Sequence, residues 1–387
     1  MDDKIIYNFD EIASRSASDS HKWNAYGADI LPMWLSDMDF RVAEPILDAL
    51  KKRVKHGIFG YPLQPPKELV DLIIKYMSAY NDWRIEASDL LLLSSTHDSF
   101  KLVFRIIGDN GDAVLMNTPL YPPLLLAPAT VGKKLITNEL LRDSSGRYYI
   151  DFERLEASIT RRTKIFLLCN PHNPTGRVFS KPELEKLAEI SLRHNLIICS
   201  DDVHFGLVYP GRKYTPIASI SREIANRTIT LISPSKTFNT PGFKFSIAVA
   251  RNPEIWKALR DQLDNYPADV LGIVAATAAL KDCQNWKEQM LAYLQENRDY
   301  LYNYLETNIP QIRMTPIEGT YLAWLDVSQC NLPKTPFEFF LEKGKIALGD
   351  GTHFGEGGKH FVRFNFACPR IILDDGLNRM ATALRID

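Results

Sequence analysis

Lys236 is the residue whose type and surroundings could do the most specific chemistry. It lies in SPSKTFNTPG (233–242), between two short apolar runs, with hydroxyl side chains on either side and a glycine six residues later. A lysine in a shielded place has its charged form disfavoured by desolvation, so it can offer a neutral amine that bonds to an aldehyde. Taken alone, such a lysine is more often a solvated loop residue, so its neighbours decide between the two interpretations.

Other polar residues follow the remaining apolar runs at the same relative position. Because the carboxyl ends of parallel strands meet at one edge of an open sheet, where ligands bind, these residues would converge on one crevice. They are Tyr121 after AVLMNTPL, Asn170 and Asn173 after KIFLLC, Asp201, Asp202 and His204 after LIICS, and Ser233 and Ser235 beside Lys236. Taken singly, each of these residue types is also common in turns, helix caps or packed cores.

This set of side chains contains the parts that a protein supplies to a pyridoxal phosphate site. An aspartate at a strand end can hold a pyridinium nitrogen protonated, so that the ring draws electrons from a substrate. An asparagine and a histidine can hydrogen-bond a ring hydroxyl, and hydroxyls or amides near a helix start bind phosphate. The predicted cofactor is therefore pyridoxal 5'-phosphate.

The elements that must position these side chains alternate along the chain. A helical pattern, VAEPILDALKKRVKHG, ends at Gly57, and another, SKPELEKLAEISLRH, opens with Ser180 and Glu183 as a capping box. Apolar strands without in/out alternation, separated by helices, predict an α/β fold with a mainly parallel sheet sandwiched by helices. The candidate strands cover residues 112–117, 164–170, 196–201, 228–233 and 245–250.

After about residue 285 the pattern changes to a long amphipathic helix, two strand-like segments, GTYLAWLDV and FVRFNFA, and a closing helix. We expect a smaller α+β domain here, joined by the first residues of the chain. The predicted division is a large cofactor-binding domain of residues 41–285 and a small domain of residues 1–40 and 286–387. The glycine-rich segment 349–358 lacks the strand and helix of a nucleotide-binding motif, so we expect a mobile loop.

The composition excludes several classes of protein. Of the 387 residues 24% are charged, and the net charge of −1 predicts no attraction to nucleic acid or to an anionic membrane. The N-terminus lacks the pattern of a signal peptide, and no apolar run approaches the roughly 18 residues of a spanning helix. Five cysteines form no C-x-x-C pair, so we expect reduced thiols, no metal site and a cytoplasmic location.

Several stretches resemble motifs of the fold-type I pyridoxal phosphate enzymes. They are LPMWLSDMDF, HGIFGYP, TPLYPP, CNPHNPTGRVF, SDDVHFGLVY, SPSKTFNTPGFK, EGTYLAWLD and FVRFNFACPR, in the family's order over nearly the whole chain. More narrowly, they resemble the bacterial cystathionine β-lyase and C–S lyase branch related to class I/II aminotransferases. The resemblance implies an aspartate aminotransferase-like fold and a homodimer with its active site at the subunit interface.

The resemblance also implies roles for individual residues. Lys236 would carry the cofactor aldehyde and later move the substrate Cα proton, Asp201 would pair with the pyridine nitrogen, and Arg363 would grip the substrate α-carboxylate. Tyr121 would stack on the ring, and Tyr61 would reach the phosphate of the neighbouring subunit. The other expected cofactor contacts are Asn173 and His204 on the phenolate side, and Ser95, Thr96, Ser233, Ser235 and Lys244 around the phosphate.

One stretch departs from the family's pattern. Where the family has a Gly-Val-Val-Pro-like phosphate turn before a helix, this chain reads Ser95-Thr96-His97-Asp98. Ser95 and Thr96 can still offer amides and hydroxyls to a phosphate, and Asp98 can act as an N-cap. The carboxylate of Asp98 would add negative charge close to a dianion. His97, like Asp202, is expected to have a structural role.

The expected reaction is cleavage of the Cβ–S bond of a cysteine-derived amino acid such as cystathionine, giving a thiol, pyruvate and ammonia. An aminotransferase acting on an amino acid and keto acid pair would use the same residues and is the first alternative. A second is a serine acyl-enzyme, since Ser233 and Lys236 satisfy S-x-x-K, although the accompanying S-D-N and K-T-G elements are missing. A third is a non-catalytic binding protein on the same fold.

Overall fold

The largest sheet lies in the middle of the chain. The computed structural model describes residues 5–15, 18–62, 65–263 and 267–385, and within them this sheet has seven strands. Numbered along the chain, they are β1 (Leu90–Leu93), β2 (Ala113–Thr118), β3 (Lys134–Glu139), β4 (Thr163–Cys169), β5 (Ile197–Asp201), β6 (Thr228–Ile232) and β7 (Ser246–Ala250). Their spatial order is β1-β7-β6-β5-β4-β2-β3.

The strand directions agree with the predicted mainly parallel sheet. Strands β2 to β6 pair in parallel, and only β7 is antiparallel to its neighbours β1 and β6. Nearly every residue of the central strands is buried, which is why their sequences show no alternation. All five predicted strands are present to within one residue at each end, while β1 and β3 were not predicted.

Helices cover both faces of this sheet and pack the second sheet. Those longer than four residues are α1 (Glu44–His56), α2 (Lys67–Asn81), α3 (Thr96–Ile106), α4 (Pro122–Thr130), α5 (Phe152–Ala157), α6 (Lys181–Arg193), α7 (Pro253–Arg260), α8 (Val270–Asp282), α9 (Gln284–Asn308), α10 (Pro336–Lys343) and α11 (Arg370–Arg385). The predicted ends of two helices are confirmed. Gly57 closes α1 with φ of 77°, a left-handed conformation that glycine adopts without strain. Ser180 and Glu183 form the capping box of α6.

A smaller antiparallel sheet follows in the C-terminal part. Its strands are β8 (Arg313–Met314), β9 (Leu322–Asp326), β10 (Gly349–Asp350) and β11 (Phe361–Asn365), in the order β8-β9-β11-β10. Near the N-terminus, Leu31–Pro32 pairs in parallel with Ile346–Ala347. This pairing supports the proposed union of residues 1–40 with residues 286–387, whose exact boundaries stay a prediction.

The glycine-rich segment 349–358 is packed, in contrast to the mobile loop expected from its composition. It contains β10 and two short 3-10 turns, Gly351–Phe354 and Glu356–Gly358. A Cβ on Gly351 would lie 2.1 Å from the Phe361 carbonyl oxygen and 2.3 Å from that of Gly358. Gly351 and Gly358 are therefore explained by the close approach of two backbones rather than by a need for motion.

The helices and cysteines of the described residues bear on two expectations about the whole chain. Each helix in them is too short or too polar to cross a bilayer. The five cysteines are free thiols, as expected, and four of them are buried, with Cys330 half-buried.

Candidate active site

The strand ends of the large sheet form one wall of a cavity. Side chains after β4, β5 and β6 face this cavity, and they meet the start of α3, the start of α4 and the loop before β7. Among the expected site residues, those lining it are Ser95, Thr96, Tyr121, Asn173, Asp201, His204, Ser235, Lys236 and Lys244. Positions separated by up to 149 residues in sequence, from 95 to 244, are therefore adjacent in space.

Lys236 lies in the turns that follow β6, where it is half-buried and lines the cavity. Burial lowers the pKa of this amine to about 8, while Asp37 and Asp201 oppose that shift and Arg363 adds to it. A substantial fraction of the amine is thus neutral near physiological pH. Nζ donates to the Ser36 carbonyl oxygen at 2.8 Å and contacts the Ser36 hydroxyl at 3.1 Å.

Asp201 is the last residue of β5, and its carboxylate is buried at the cavity. Burial raises its pKa to about 7, although a hydrogen bond from the Val203 amide and the positive charge of Lys236 lower it. Within the described part of the chain, its Oδ1 atom has no hydrogen-bond partner. A buried acceptor without a partner is costly, so the site is built to receive a donor from a bound molecule.

His204 lies three residues beyond Asp201 and is also buried. Burial and the positive charges of Lys236 and Arg363 lower the pKa of its imidazole to about 3, so the ring is neutral. Its Nδ1 atom has no hydrogen-bond partner in the described residues. Together with Asp201, His204 thus offers a second polar atom without a protein partner on the same cavity wall, among the described residues.

Arg363 lies behind the cavity lining, in the middle of β11 opposite Trp324. It is fixed by hydrogen bonds from Nη1 to the Asn173 side-chain oxygen at 3.0 Å and from Nη2 to the Trp34 carbonyl at 2.8 Å. Burial lowers the pKa of its guanidinium to about 10, and its Nε lacks a partner among the described residues. Arg363 and Asn173 thus form a connected polar pair beside Lys236.

Tyr121 occupies the position just before α4, whose first two residues are prolines. Its backbone amide donates to the Asn173 carbonyl at 3.2 Å, which ties the two cavity-lining residues together. Burial raises the pKa of its phenol, so the hydroxyl stays protonated. The flat ring is therefore a neutral aromatic surface on the cavity wall.

The structure at the start of α3 explains residues 95–98, which depart from the phosphate turn of the family. The N-cap is Ser95, not Asp98 as the sequence suggested: its hydroxyl oxygen accepts from the Asp98 amide at 3.1 Å. The same hydroxyl donates to the Asp98 carboxylate at 2.7 Å. Asp98 is thereby held at the helix terminus, where a negative charge is favourable. His97 lines the cavity and packs edge-on against Phe100.

Two further expected residues lie outside the cavity. Ser233 is fully buried, and its hydroxyl contacts the Phe245 carbonyl at 2.6 Å and the Ser235 hydroxyl at 2.8 Å. It therefore orients Ser235 rather than facing the cavity, and it does not face Lys236 as an S-x-x-K nucleophile would. Tyr61 is fully exposed and borders a neighbouring groove that shares Lys244 with the cavity.

The sequence interpretation missed Ser36, which lines the cavity and contacts the Lys236 amine. The stretch LPMWLSDMDF pointed to this part of the chain but not to the side chain that faces inward. Asp202, expected to be structural, lies in the core with hydrogen bonds from the hydroxyls of Ser200 and Tyr214.

Comparisons with known proteins agree with this arrangement. The family model for aminotransferase class I and II matches residues 30–378. The chain belongs to this family. Cystathionine beta-lyase PatB of Bacillus subtilis (strain 168) is 34% identical over 389 residues, covering 97% of this chain and 100% of the relative.

Solved structures of other proteins show the same fold over nearly the whole length of this chain. Cystalysin from Treponema denticola, which contains a pyridoxal 5'-phosphate cofactor, superposes with a TM-score of 0.94 at 32% identity, covering 99% of this chain and 100% of that one. The PLP-bound C–S lyase from Staphylococcus hominis gives a TM-score of 0.93 at 28% identity, covering 98% and 99%. The predicted aspartate aminotransferase-like fold class is therefore confirmed.

Proposed function

We propose that this protein is a pyridoxal phosphate-dependent C–S lyase that breaks the Cβ–S bond of a cysteine-derived amino acid such as cystathionine. One observation carries the proposal: a half-buried lysine and a buried carboxylate, one of whose oxygens has no partner among the described residues, share one cavity, in a chain that is 34% identical to a cystathionine beta-lyase over 97% of its length. The relatives named as cystathionine beta-lyases and the C–S lyase structures favour elimination over transamination.

The residues present fit the proposed cofactor. The Asp201 Oδ1 atom can accept from a protonated ring nitrogen, and the neutral His204 can pair with a ring oxygen. The Ser235 hydroxyl, the Lys244 ammonium and the amides at the start of α3 can bind a phosphate. Ser95, whose hydroxyl is engaged by Asp98, would contribute its neighbouring backbone rather than its side chain.

The chain's own groups would act on the substrate in a defined order. When bound, pyridoxal phosphate supplies an aldehyde that bonds to amines and a ring that withdraws electrons from the substrate Cα. Arg363 and Asn173 hold the α-carboxylate, and the neutral fraction of Lys236 takes the Cα proton. Asp201, ionised beside a positive partner, keeps the ring nitrogen protonated.

The leaving group completes the reaction. The electron pair of the Cα–H bond forms a Cα=Cβ double bond, and the electrons of the Cβ–S bond leave with sulfur as a thiolate, which takes up a proton. Addition of one water to the released enamine gives pyruvate and ammonia. Cystathionine and water thus yield homocysteine, pyruvate and ammonia, with no external oxidant or reductant.

Assembly and location belong to the same proposal. A homodimer with the active site at its interface is supported by exposed apolar side chains beside the Tyr61 groove: Val54, Ile58 and Phe59. The near-neutral net charge supports a small amino-acid substrate rather than nucleic acid or a membrane as the partner. Five free thiols support a cytoplasmic location.

The decisive experiment supplies L-cystathionine, without a keto acid, to the purified protein loaded with pyridoxal phosphate. Pyruvate, ammonia and thiol should appear in equal amounts, and Lys236→Ala should lower the rate by at least about 1,000-fold and remove the visible absorbance. Lys213→Ala, which removes a lysine paired with Asp82 on the surface, is the matched control and should leave both unchanged. Keto acid formed only when an amino-group acceptor is added would show an aminotransferase instead.

A further inference from the structure

A short segment beside Lys236, residues 34–39, is held by side chains from distant parts of the chain. It has no helix or strand of its own, yet five consecutive carbonyl groups each accept a side-chain hydrogen bond. Arg363 donates to the Trp34 carbonyl (2.8 Å), and Asn365 donates to the carbonyls of Leu35 (2.6 Å) and Asp37 (2.8 Å). The Ser36 carbonyl accepts from Lys236 (2.8 Å) and Tyr321 (2.9 Å), and the Met38 carbonyl accepts from Asn239 (3.1 Å). The backbone before and after Ser36 is thereby fixed by hydrogen bonds, and so is the position of Ser36 itself.

We propose that Ser36 is a positioning residue for the reacting lysine. Its hydroxyl holds the Lys236 amine in one place, both when the amine is protonated and when the amine is neutral. This role rests on the proposed function of Lys236 as the group that takes the substrate Cα proton. A base that takes a proton in one step, and gives it up before the next turnover, must keep its nitrogen in the same place in both states.

The carbonyl oxygen of Ser36 makes two hydrogen bonds. It accepts from Lys236 Nζ at 2.8 Å and from the Tyr321 hydroxyl at 2.9 Å, which uses both of its lone pairs. A carbonyl can only accept, so it can hold an N–H of the amine but cannot donate to the lone pair of the neutral form.

The Ser36 hydroxyl lacks this restriction. Its oxygen is 3.1 Å from Nζ, and it can accept from an ammonium or donate to the lone pair of an amine by rotating its proton. Ser36 is 6% exposed and Lys236 is half-buried, so the interaction is partly shielded from bulk water. Among the described residues, Ser36 provides both groups that hydrogen-bond Nζ.

The charged groups near Lys236 act through space and do not replace this contact. Asp37 and Asp201 favour the protonated amine, whereas Arg363 disfavours it. The Asp37 carboxylate is itself bound through Oδ2 to Arg15 at 2.6 Å. The other polar neighbours on the packed elements, His204 and Tyr321, are uncharged. Only a direct hydrogen bond fixes where the amine lies, and the structure gives that bond to Ser36.

The test measures the basicity of Lys236 in the full chain freed of small molecules. Trace acetic anhydride, which reacts with neutral amines, is applied across a pH series, and the Lys236 peptide is quantified by mass spectrometry. A charge-assisted hydrogen bond is about twice as strong as a neutral one, so Ser36→Ala should lower the labelling midpoint by about 0.5 to 1 pH unit. Ser36→Cys, which keeps the volume and has a weak donor and acceptor, should shift it in the same direction.

The control is Ser36→Thr, which retains the hydroxyl and should keep the wild-type midpoint. Equal midpoints in wild type and Ser36→Ala, or equal shifts in Ser36→Thr and Ser36→Ala, would overturn the role of the hydroxyl. Melting temperatures identify a variant that does not fold, and the nearly isosteric Ser36→Cys then decides. Labelling needs no substrate, so a failure of the lyase assay and a failure of this role are separate results.

Discussion

At the scale of the residue, Asp201 shows how a site for a bound molecule costs stability. Its carboxylate is buried, and in the described residues its Oδ1 finds no donor. Burial raises its pKa to about 7, which means that the ionised form is disfavoured in the folded chain relative to the unfolded one. A group placed for folding alone would have been paired or exposed.

Asp201→Asn should therefore stabilise the cofactor-free chain while abolishing turnover. The folded chain binds more protons at this carboxyl than the unfolded chain does between its ordinary pKa of 3.8 and about 7, so stability falls as pH rises through that window. The variant lacks this dependence. Its melting temperature should exceed that of wild type above about pH 7 and approach it near pH 4, measured by circular dichroism. A variant that melts lower at every pH would contradict this explanation.

Arg363→Lys tests substrate capture. A lysine cannot reproduce the planar fork that contacts Asn173 and Trp34, so binding of the α-carboxylate loses a charge-assisted hydrogen bond. KM should rise by about 10- to 100-fold with a smaller change in kcat, as expected for loss of about 1.5–3 kcal/mol.

Arg142→Lys is the matched control for this substitution, since Arg142 pairs with Asp326, whereas Arg363 contacts the cavity-lining Asn173. Its KM should equal that of wild type. A fall in kcat alone for Arg363→Lys would place Arg363 outside substrate binding.

At the scale of the element, the site depends on segments without regular structure that are fastened by side chains. Asn239, which follows Lys236 by three residues, has φ of 55° and makes three hydrogen bonds to the 34–40 backbone. The left-handed conformation at Asn239 turns the loop so that its amide reaches this backbone. The loop that carries Lys236 and the segment that carries Ser36 are therefore fixed to each other.

Asn239→Gly should loosen this connection, because glycine keeps the left-handed conformation but lacks the amide. Loss of three hydrogen bonds, about 1 kcal/mol each, should increase hydrogen exchange in residues 34–40 and lower kcat/KM by roughly 10-fold or more. Asn195→Gly, at another left-handed asparagine (φ of 54°), is the control. Unchanged exchange in residues 34–40 of the Asn239 variant would refute the connection.

At the scale of the whole molecule, an exposed groove adjoins the cavity. Tyr61 and Phe59 border it, and Lys244 lines both the groove and the cavity. Exposed aromatic side chains next to a polar site are typical of a surface that another chain covers. The proposed dimer would bring Tyr61 of one subunit to the phosphate site of the other.

Mixed dimers test this arrangement directly. Tyr61→Ala alone should weaken cofactor affinity by about 10-fold, the loss of one hydrogen bond to a charged group. In a hybrid of Tyr61→Ala and Lys236→Ala subunits, one site keeps both native residues. Activity at limiting cofactor should then exceed the mean of the two parent dimers. Hybrid activity equal to the mean of the parent dimers would contradict the proposed arrangement. Tyr61 would then act in the site of its own subunit, or have no role in the site.

The sequence predicted the buried strands and the cavity edge because burial on both faces leaves a continuous apolar run. It did not predict β1 and β3. The first is a run of four leucines that resembles a helix as much as a strand, and the second is a largely exposed edge strand with polar residues. Tertiary neighbours, rather than local preference, decide both.

The order of residue types along the chain was enough to determine the fold class and to bring Lys236, Asp201 and Asn173 to one edge, since parallel strands end together. Only the tertiary structure decided that Ser233 faces the core, that Ser95 rather than Asp98 caps α3, and that Ser36 contacts the lysine amine. The direction of a side chain in a loop is set by hydrogen bonds from distant segments, and sequence spacing carries no record of those partners.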